Sequence, residues 1–412
     1  MGGPSRRGFL GRAGLVGGGV VVGAAGGAGL GHAIWPGHAD ATTDDAVTTA
    51  VAPVAFSGDH QAGVTDRPPA ALRFTAFDLR PTASAAAMRT ALRQALQAVG
   101  AVGAAVARGD WTATLDDTAT GLRPSHVTTT VAIGASGLAA AGLPVPAALA
   151  PLPSFNNDQL DPARSGGDLA VQICAEDPHL AAAITRAVVD ACADTLVPRW
   201  QQVGFLPGAS TTVDVAATRR NLMGQVDGTG NPTGAELDPT VWVTADNAAD
   251  APWLVGGSYL VCRRIRMSLS TWTRLSTSAQ EQVIGRQKVS GAPLGLEHES
   301  DPMDFSRADA DGRPLVAANA HVRLVHPDSN GGAQMLRRSY AYDEGFRADG
   351  SPEAGLFFQA FQTDPRRVFV PIQLKLAALD ALTPFVRHVG SAVFAVLPGA
   401  PDGGYAGQTL FD

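Results

Sequence analysis

The sequence has little charge of either sign and no surplus of positive charge. Of its 412 residues 17% are charged, and 38 acidic residues outnumber 31 lysines and arginines, for a net charge of -7 at pH 7. No block rich in lysine or arginine occurs along the chain. Proteins that bind nucleic acids carry such basic surfaces to neutralise phosphates, so the composition argues against a nucleic-acid partner.

Cysteine is also scarce, since only Cys174, Cys192 and Cys262 occur. Their odd number and wide spacing argue against a disulfide framework. None of them combines with histidines at the spacing of a zinc site. Cys174 ends the apolar run LAVQIC and Cys262 ends YLVC. We therefore expect both to be small buried hydrophobic residues.

A long apolar run suited to crossing a membrane is missing as well. Residues 13–30 are apolar but rich in glycine, so they predict a poor membrane-spanning helix and no stable anchor. They follow the basic residues Arg6, Arg7 and Arg12, and small residues follow them, which is the order of an export signal. Paired arginines before Phe-Leu resemble a twin-arginine address, which a receptor reads. We expect residues 1–41 to direct export to the periplasm, the cell envelope or the medium of a bacterium.

Strand-like and helical segments alternate in both halves of the remaining chain. Residues 42–67 are small and polar and predict a linker. Apolar alternation and β-branched runs predict strands, and 3.6-residue periodicity predicts helices. The expected strands are 72–79, 127–133, 169–174, 258–269, 321–325, 355–362 and 391–396, and the expected helices are 82–99, 178–200, 270–275 and 364–382. This order indicates an α+β architecture with two related domains, residues 68–224 and 225–412.

The segment Gly224–Pro232, GQVDGTGNP, places the carboxylate of Asp227 among small and turn-forming residues. Glycines allow the backbone to approach a bulky partner and to adopt positive φ. The acid can therefore be presented to a ligand. The alternative is an ordinary turn, because Asp-Gly is a common turn dipeptide.

Two further residues become informative when they are considered together with Asp227. His321 lies in NAHVRLVHP, where it is expected to begin a strand, and Arg337 lies in AQMLRRSY. Taken singly they read as a core histidine and a solvated arginine. Together the three supply the groups of a peroxide-activating haem site. A histidine offers an axial nitrogen to iron, a carboxylate moves a proton, and a cation stabilises negative charge that develops as the O–O bond breaks.

Motifs along nearly the whole chain resemble those of the dye-decolorizing peroxidases, in the exported branch related to deferrochelatase/peroxidase proteins. They follow one another in the same order as in that family. They are HQAGVTDRPPAALRFTAFDL, GGDLAVQICAEDP, TRRNLMGQVDGTGNP, GGSYLVCRRIRM, QEQVIGRQKVSGAPL, NAHVRLVHP, MLRRSY, GLFFQAFQTDPRRVFV and HVGSAVFAVLPGAPDGGYAGQTLF.

The resemblance implies an α+β fold of two ferredoxin-like domains in one chain, related to the dimeric α+β barrels. It also implies one non-covalent b-type haem per chain, held mainly by the C-terminal domain; the chain has no C-x-x-C-H motif for covalent attachment. By motif match, His321 would be the proximal iron ligand and Asp227 the distal acid–base. Arg337 would be the distal arginine, with Arg338 as the alternative register. The residues passing close to the porphyrin would be Gly228, Thr229 and Gly230.

Two details of the match stay open. Relatives commonly have Asn-Pro-Arg after the ligand, where this chain has His326, Pro327 and Asp328, so the basic contact with a haem propionate is in doubt. His326 could replace part of it, and Arg286 and Arg323 are other candidates. Asp364 in FQTDP matches a position that could accept a hydrogen bond from the proximal imidazole. The alternative for Asp364 is a helix N-cap.

The activity implied by the resemblance is reduction of hydrogen peroxide through a ferryl iron and a porphyrin radical. Dyes, phenolics or other one-electron donors would then be oxidised. Bulky donors would require electron transfer through surface aromatics, for which Trp253, Trp272, Tyr340 and Tyr405 are available. The alternative function is a haem-binding protein of iron acquisition that releases iron from haem. Either protein could assemble as a homo-oligomer.

Overall fold

The computed structural model describes residues 53–110, 115, 122, 126–207, 218–248 and 250–412. The predicted export signal lies outside these residues, as does the predicted linker up to residue 52. Residues 53–67 are packed against the fold and are not a free linker. Val64 is buried, and the buried Gln61 side chain donates to the carbonyl oxygens of Val131 and Leu397 at 2.7 Å. No helix in the described ranges is long and apolar enough to cross a membrane.

The strands join into one antiparallel sheet that closes on itself. The strands of the described chain are β1 (Ala71–Leu79), β2 (Thr128–Gly134), β3 (Leu169–Ala175), β4 (Leu196–Phe205), β5 (Ser258–Met267), β6 (Leu336–Arg337), β7 (Tyr340–Phe346), β8 (Pro352–Gln362) and β9 (Val386–Val396). Their order is β5-β9-β2-β3-β1-β4-β7-β8-β6, and β5 also pairs with β8. That extra pairing closes the eight longer strands into a ring, while β6 pairs with β8 beside β7.

The helices follow the strands in a repeated order. Those of the described residues are α1 (Ala85–Ala107), α2 (Ala135–Ala140), α3 (Pro178–Ala191), α4 (Leu237–Val241), α5 (Leu269–Trp272), α6 (Thr277–Ile284), α7 (His321–Val325) and α8 (Phe369–Leu379). The first half runs β1-α1-β2-β3-α3-β4 with spatial order β4-β1-β3-β2. The second half contains β5, β7, β8, α8 and β9 with the corresponding order β9-β5-β8-β7. Two ferredoxin-like halves are therefore present, and the predicted fold class is confirmed.

Local sequence explains where the outer helices begin. The Ser84 side chain accepts a hydrogen bond from Ala87 N at the start of α1. The Asp177 side chain does the same at α3, where Pro178 occupies the first turn. Apolar residues of both helices cover the outer face of the strands of the first half. A second core fills the inside of the ring with aromatic side chains such as Phe74 and Phe357. The three cysteines are free and buried, as expected for Cys174 and Cys262.

Several predicted elements are wrong in type or length. His321–Val325 is a short helix and not a strand. Its apolar residues do not alternate strictly, and Ala320 O accepts the first helical hydrogen bonds, from Arg323 N and Leu324 N. The helix that begins at Pro178 ends at Ala191, while the segment up to Trp200 forms β4 paired with β1. The described residues from 53 to 412 form one compact unit, and the predicted boundary at residue 224 stays a prediction.

Candidate active site

The Gly224–Pro232 segment is an irregular loop whose backbone is held by hydrogen bonds within the loop and to the residues just before it. Asp227 N donates to Arg219 O at 2.8 Å, and Asn231 N donates to Gly228 O at 3.1 Å. Gly230 has φ of 79°, which only glycine adopts without strain. A Cβ at Gly230 would meet no atom within 4 Å, so the loop borders open space at this position. The loop can therefore present Asp227 beside a bulky partner.

Asp227 faces Arg337, and the two form a loose ion pair. Arg337 Nη1 lies 3.7 Å from Asp227 Oδ1, and each side chain is about one quarter exposed, 25% and 24% respectively. Asn221 Nδ2 donates to the other carboxylate oxygen, Oδ2, at 3.1 Å. One oxygen of Asp227 is thus held by the protein, while Oδ1 lies near a cation without a direct hydrogen bond to it.

Arg337 is held in place by two residues of the same loop. Asn231 Oδ1 accepts from Arg337 N at 3.1 Å and from Arg337 Nε at 3.3 Å, and Asn231 Nδ2 donates to Arg337 O at 2.8 Å. Arg337 Nη2 donates to Thr229 O at 2.9 Å. The neighbouring Arg338 is buried and contacts Tyr340 and not Asp227. Of the two registers left open by the sequence, only Arg337 faces the acid.

His321 lies at the start of α7 and is oriented by a buried carboxylate. Its Nδ1 donates to Asp380 Oδ2 at 2.6 Å, and the Asp380 side chain is only 5% exposed. Burial lowers the pKa of His321, but attraction and the hydrogen bond to Asp380 outweigh it, so the pKa is raised. The charge of Arg337 lowers this pKa and the charge of Asp227 raises it, both to a smaller extent. With Nδ1 engaged, Nε2 is the nitrogen that can bind a metal.

Asp380, and not Asp364, is therefore the partner of the imidazole, and the expectation for Asp364 is wrong. Asp364 Oδ1 accepts from Arg366 N at 2.8 Å, and its carboxylate pairs with Arg367 at 3.3 Å. It caps the turn before α8, which was the alternative. Asp380 immediately follows α8, where the helix dipole disfavours a carboxylate. The sequence did contain a signal for Asp380, which is the acid at the end of the apolar run KLAALD. A carboxylate in that position needs a cationic or hydrogen-bonding partner.

The segment after α7 forms a turn of its own. His326 Nδ1 accepts from Asp328 N at 3.3 Å, and the His326 ring packs edge-on against Phe305 with centroids 5.1 Å apart. Pro327 begins the 3-10 turn Pro327–Ser329, and the Asp328 side chain is exposed. No contact in the described chain joins this turn to Asp227 or Arg337. Arg323 lies over the same Phe305 ring, 5.1 Å from its centroid.

Arg286 lies beside the loop that carries Asp227. Its Nη1 donates to Gly291 O at 2.7 Å and to Glu299 O at 3.1 Å, and burial lowers its pKa, with a further lowering by the charge of Arg337. The Glu299 side chain accepts from Thr229 Oγ1 at 2.6 Å. Arg286 is therefore joined through Glu299 to the loop that carries Asp227.

The surroundings of His321 fit the haem that the resemblance implies. Leu356 and Phe358 of β8 are apolar and central in the sheet, yet only half buried. Leu356 packs in the same cluster as Val322 of α7, and Phe358 packs against Phe369 of α8. An available imidazole nitrogen, half-buried apolar side chains and open space at Gly230 together suit a flat apolar ring with a metal at its centre.

The four aromatic residues considered for surface electron transfer differ in exposure. Trp272 and Tyr340 are fully buried at 0% exposure, so neither can meet a bulky donor at the surface. Trp272 Nε1 donates to Met223 O at 3.0 Å in a packed cluster. Trp253 and Tyr405 are half buried at the edge of the main core. Only these two keep any access to solvent.

Comparison with known proteins agrees with this geometry. Residues 61–206 match the family described as Dyp-type peroxidase, N-terminal, and residues 218–401 match Dyp-type peroxidase, C-terminal. A dye-decolorizing peroxidase of Thermobifida fusca is 48% identical over 298 residues, which cover 71% of this chain and 69% of that protein. A deferrochelatase of Yersinia pseudotuberculosis is 33% identical over 373 residues, covering 87% and 84% respectively.

A solved structure extends the likeness to the whole fold. An oxyferrous/water mixed complex of DtpA from Streptomyces lividans is 41% identical, with a TM-score of 0.84, and the match covers 89% of this chain and 100% of that one. Both halves of the ring, and the segments bearing Asp227, His321 and Arg337, lie within the matched family ranges. The chain belongs to the Dyp-type peroxidase family and is a haem enzyme that reduces hydrogen peroxide with electrons from a donor.

Proposed function

We propose that Asp227, Arg337 and His321 carry the peroxidase reaction of this chain. The observation that supports this most is the Asp227–Arg337 pair, held by Asn221 and Asn231 on a loop with open space beside it. Rapid mixing of the haem-loaded protein with hydrogen peroxide, followed by absorbance, tests the assignment. Absence of any peroxide-dependent spectral change in the wild type would contradict it.

Each residue has a role that follows from its contacts. When bound, the haem supplies a redox-active iron at which hydrogen peroxide can bind, and His321 Nε2 would hold that iron. Asp227 Oδ1 can take a proton from one oxygen of peroxide and return it to the other, which leaves as water. Arg337 Nη1 stabilises the negative charge on the oxygen atoms as they separate. Arg286 is the residue we assign to a haem propionate.

Replacing Asn231 with alanine is expected to lower kcat/KM for hydrogen peroxide about 10- to 100-fold. Arg337 would lose the acceptor of its N and Nε hydrogen bonds, and misplacement by about 1 Å can cost a factor of 10². Steady-state kinetics with a small donor and haem content per chain are the measurements. Asn247→Ala, in an exposed turn, is the matched control and should leave both unchanged. Equal kinetics in Asn231→Ala and wild type would contradict the positioning role.

Replacing Asp380 with asparagine is expected to weaken haem binding about 10- to 100-fold, because the imidazole loses its charged acceptor. Haem titration of the haem-depleted protein, followed in the Soret region, gives the affinity. Asp364→Asn is the matched control, since that carboxylate caps a turn and pairs with Arg367. A loss of affinity in the control but not in Asp380→Asn would reverse the assignment.

We propose dyes and phenolics as the donors, because the relative with 48% identity is named for dye decolorization. The rates of peroxide-dependent oxidation of an anthraquinone dye and of a substituted phenol test this. Half-buried Trp253 and Tyr405 are the candidates for passing electrons to the surface. A dye rate unchanged in the Trp253→Phe, Tyr405→Phe double variant would exclude that route.

A second candidate function is the release of iron from haem. It is supported by the similarity to deferrochelatases over 87% of this chain. The reaction would replace the iron by two protons on the pyrrole nitrogens, so metal-free porphyrin is its product. Porphyrin fluorescence appearing without added peroxide would favour it, and unchanged haem with peroxide turnover would exclude it.

We propose that the protein is exported by the twin-arginine route, on the basis of Arg6 and Arg7 before Phe9-Leu10. Fractionation of cells that produce the wild type or the Arg6→Lys, Arg7→Lys double variant tests this. Retention of the variant, but not the wild type, in the cytoplasm is the expected result.

A homo-oligomer stays a prediction, and light scattering of the purified protein measures its mass.

A further inference from the structure

Two arginine side chains beside the catalytic pair end in buried nitrogen atoms that have no hydrogen-bond partner among the described residues. They are Nε and Nη2 of Arg338, and Nη1 and Nη2 of Arg219. Arg338 is only 3% exposed. Its remaining Nη1 contacts Tyr340 Oη at 2.9 Å and Cys174 Sγ at 3.5 Å, neither of which is a carboxylate. Buried guanidinium groups require an acceptor, because water is no longer available to solvate them.

The two groups lie in one electrostatic cluster. Burial lowers the pKa of Arg219 and of His126, and the charge of Arg338 lowers both further, so its charge reaches both groups. Burial is the largest cause in both cases. Two buried guanidinium groups that repel each other and lack an acceptor are unfavourable unless an anion neutralises them.

The nearby carboxylates do not neutralise the cluster. Glu176 and Asp66 are the anions that act on it, whereas Arg67 adds a third cation at its exposed edge. Glu176 accepts from Ala70 N at 3.2 Å, and its other oxygen lies 3.9 Å from His126, so it does not bond to either guanidinium. Three cations against two anions leave an excess of one positive charge.

We propose that a small monovalent anion binds between Arg219 and Arg338. The free Nε and Nη2 of Arg338 form one two-pronged edge, and the Nη1 and Nη2 of Arg219 form another. Such edges match two oxygens of a planar oxyanion in parallel hydrogen bonds. Nitrate, bicarbonate or a small carboxylate fits this chemistry best, and chloride can accept the same donors.

The anion would join the two segments that carry the catalytic pair. Arg219 O accepts the backbone hydrogen bond of Asp227, and Arg338 directly follows Arg337. An anion held by both guanidinium groups would therefore fix the loop of the acid to the strand of the arginine. Its occupancy should raise the stability of the fold whether or not peroxide is turning over.

The test is the thermal midpoint of the haem-loaded wild type at constant sodium concentration and ionic strength. Chloride, nitrate or bicarbonate replaces gluconate, which is too large for a buried site. We expect a saturable rise of Tm of about 4 °C once the anion reaches ~100 times its Kd. The order of the anions distinguishes a planar oxyanion from a spherical halide. A Tm identical in all four salts would overturn the proposal.

Substitution locates the effect. Arg338→Met should abolish the anion dependence of Tm, and Arg266→Met, a half-buried arginine elsewhere that pairs with Glu353, should keep it. If Arg338→Met does not fold, anomalous scattering from wild-type crystals grown in bromide decides the question. A bromide peak within hydrogen-bonding distance of both guanidinium groups supports the site. The proposal is contradicted if only water lies between the two guanidinium groups and the anion dependence of Tm is the same in both variants.

Discussion

Replacing Asp227 with asparagine is expected to lower kcat/KM for hydrogen peroxide by about 10²- to 10⁴-fold while the protein keeps its haem. The amide has nearly the same shape and can still meet Asn221, but its oxygen cannot take and return a proton. We assign the iron ligand to His321, which the substitution leaves intact. Stopped-flow absorbance after mixing with peroxide gives the rate constant, and the resting Soret band gives the haem content.

Glu299→Gln is the matched control for that experiment. Glu299 is the other carboxylate at the loop, where it accepts from Thr229 Oγ1 at 2.6 Å, but it is not the partner of Arg337. It should change the rate only a few-fold, through the position of the loop. If Glu299→Gln lost the larger factor, the proton would have to be assigned to Glu299. Loss of haem from Asp227→Asn would show that its role is structural.

Replacing His321 with alanine is expected to remove the protein ligand of the iron and with it most of the bound haem. The variant should show a weak or displaced Soret band and little peroxidase activity, because only apolar packing and the proposed propionate contact would still hold a non-covalent haem. The pyridine haemochrome assay measures the haem per chain. Imidazole added to the variant should restore part of the band, since it fits the space that the side chain leaves.

His326→Ala is the matched control, since it removes a histidine five residues farther along the chain. His326 packs on Phe305 and caps its own turn, so this variant should keep its haem and its spectrum. Loss of haem in His326→Ala with retention in His321→Ala would move the ligand to position 326. Circular dichroism of both variants distinguishes loss of the ligand from loss of the fold, because α7 is only five residues long.

Much of the fold could be predicted from local pattern. The alternation in Ser258–Met267 and the β-branched run of β2 gave strands at the right places, and Pro178 marked the start of α3. The predicted ends of helices and strands were less accurate where the short-range sequence pattern is ambiguous. The five residues of α7 are too few for periodicity to identify a helix, and the helix is seen only in the structure, where α7 packs against α8. The closing of the ring depends on β2–β9 and β4–β7 pairs more than 130 residues apart, which no local pattern reports.

The sequence by itself determined the glycine-rich loop with its acid, the scarcity of cysteine and basic charge, and the ordered motifs that indicate the family. These depend on residue type and short spacing. Only the tertiary structure decided which of two adjacent arginines meets Asp227, because consecutive residues of an extended segment point to opposite sides. It also decided that Asp380 and not Asp364 orients His321, since a pairing across 59 residues is set by the packing of α7 against α8.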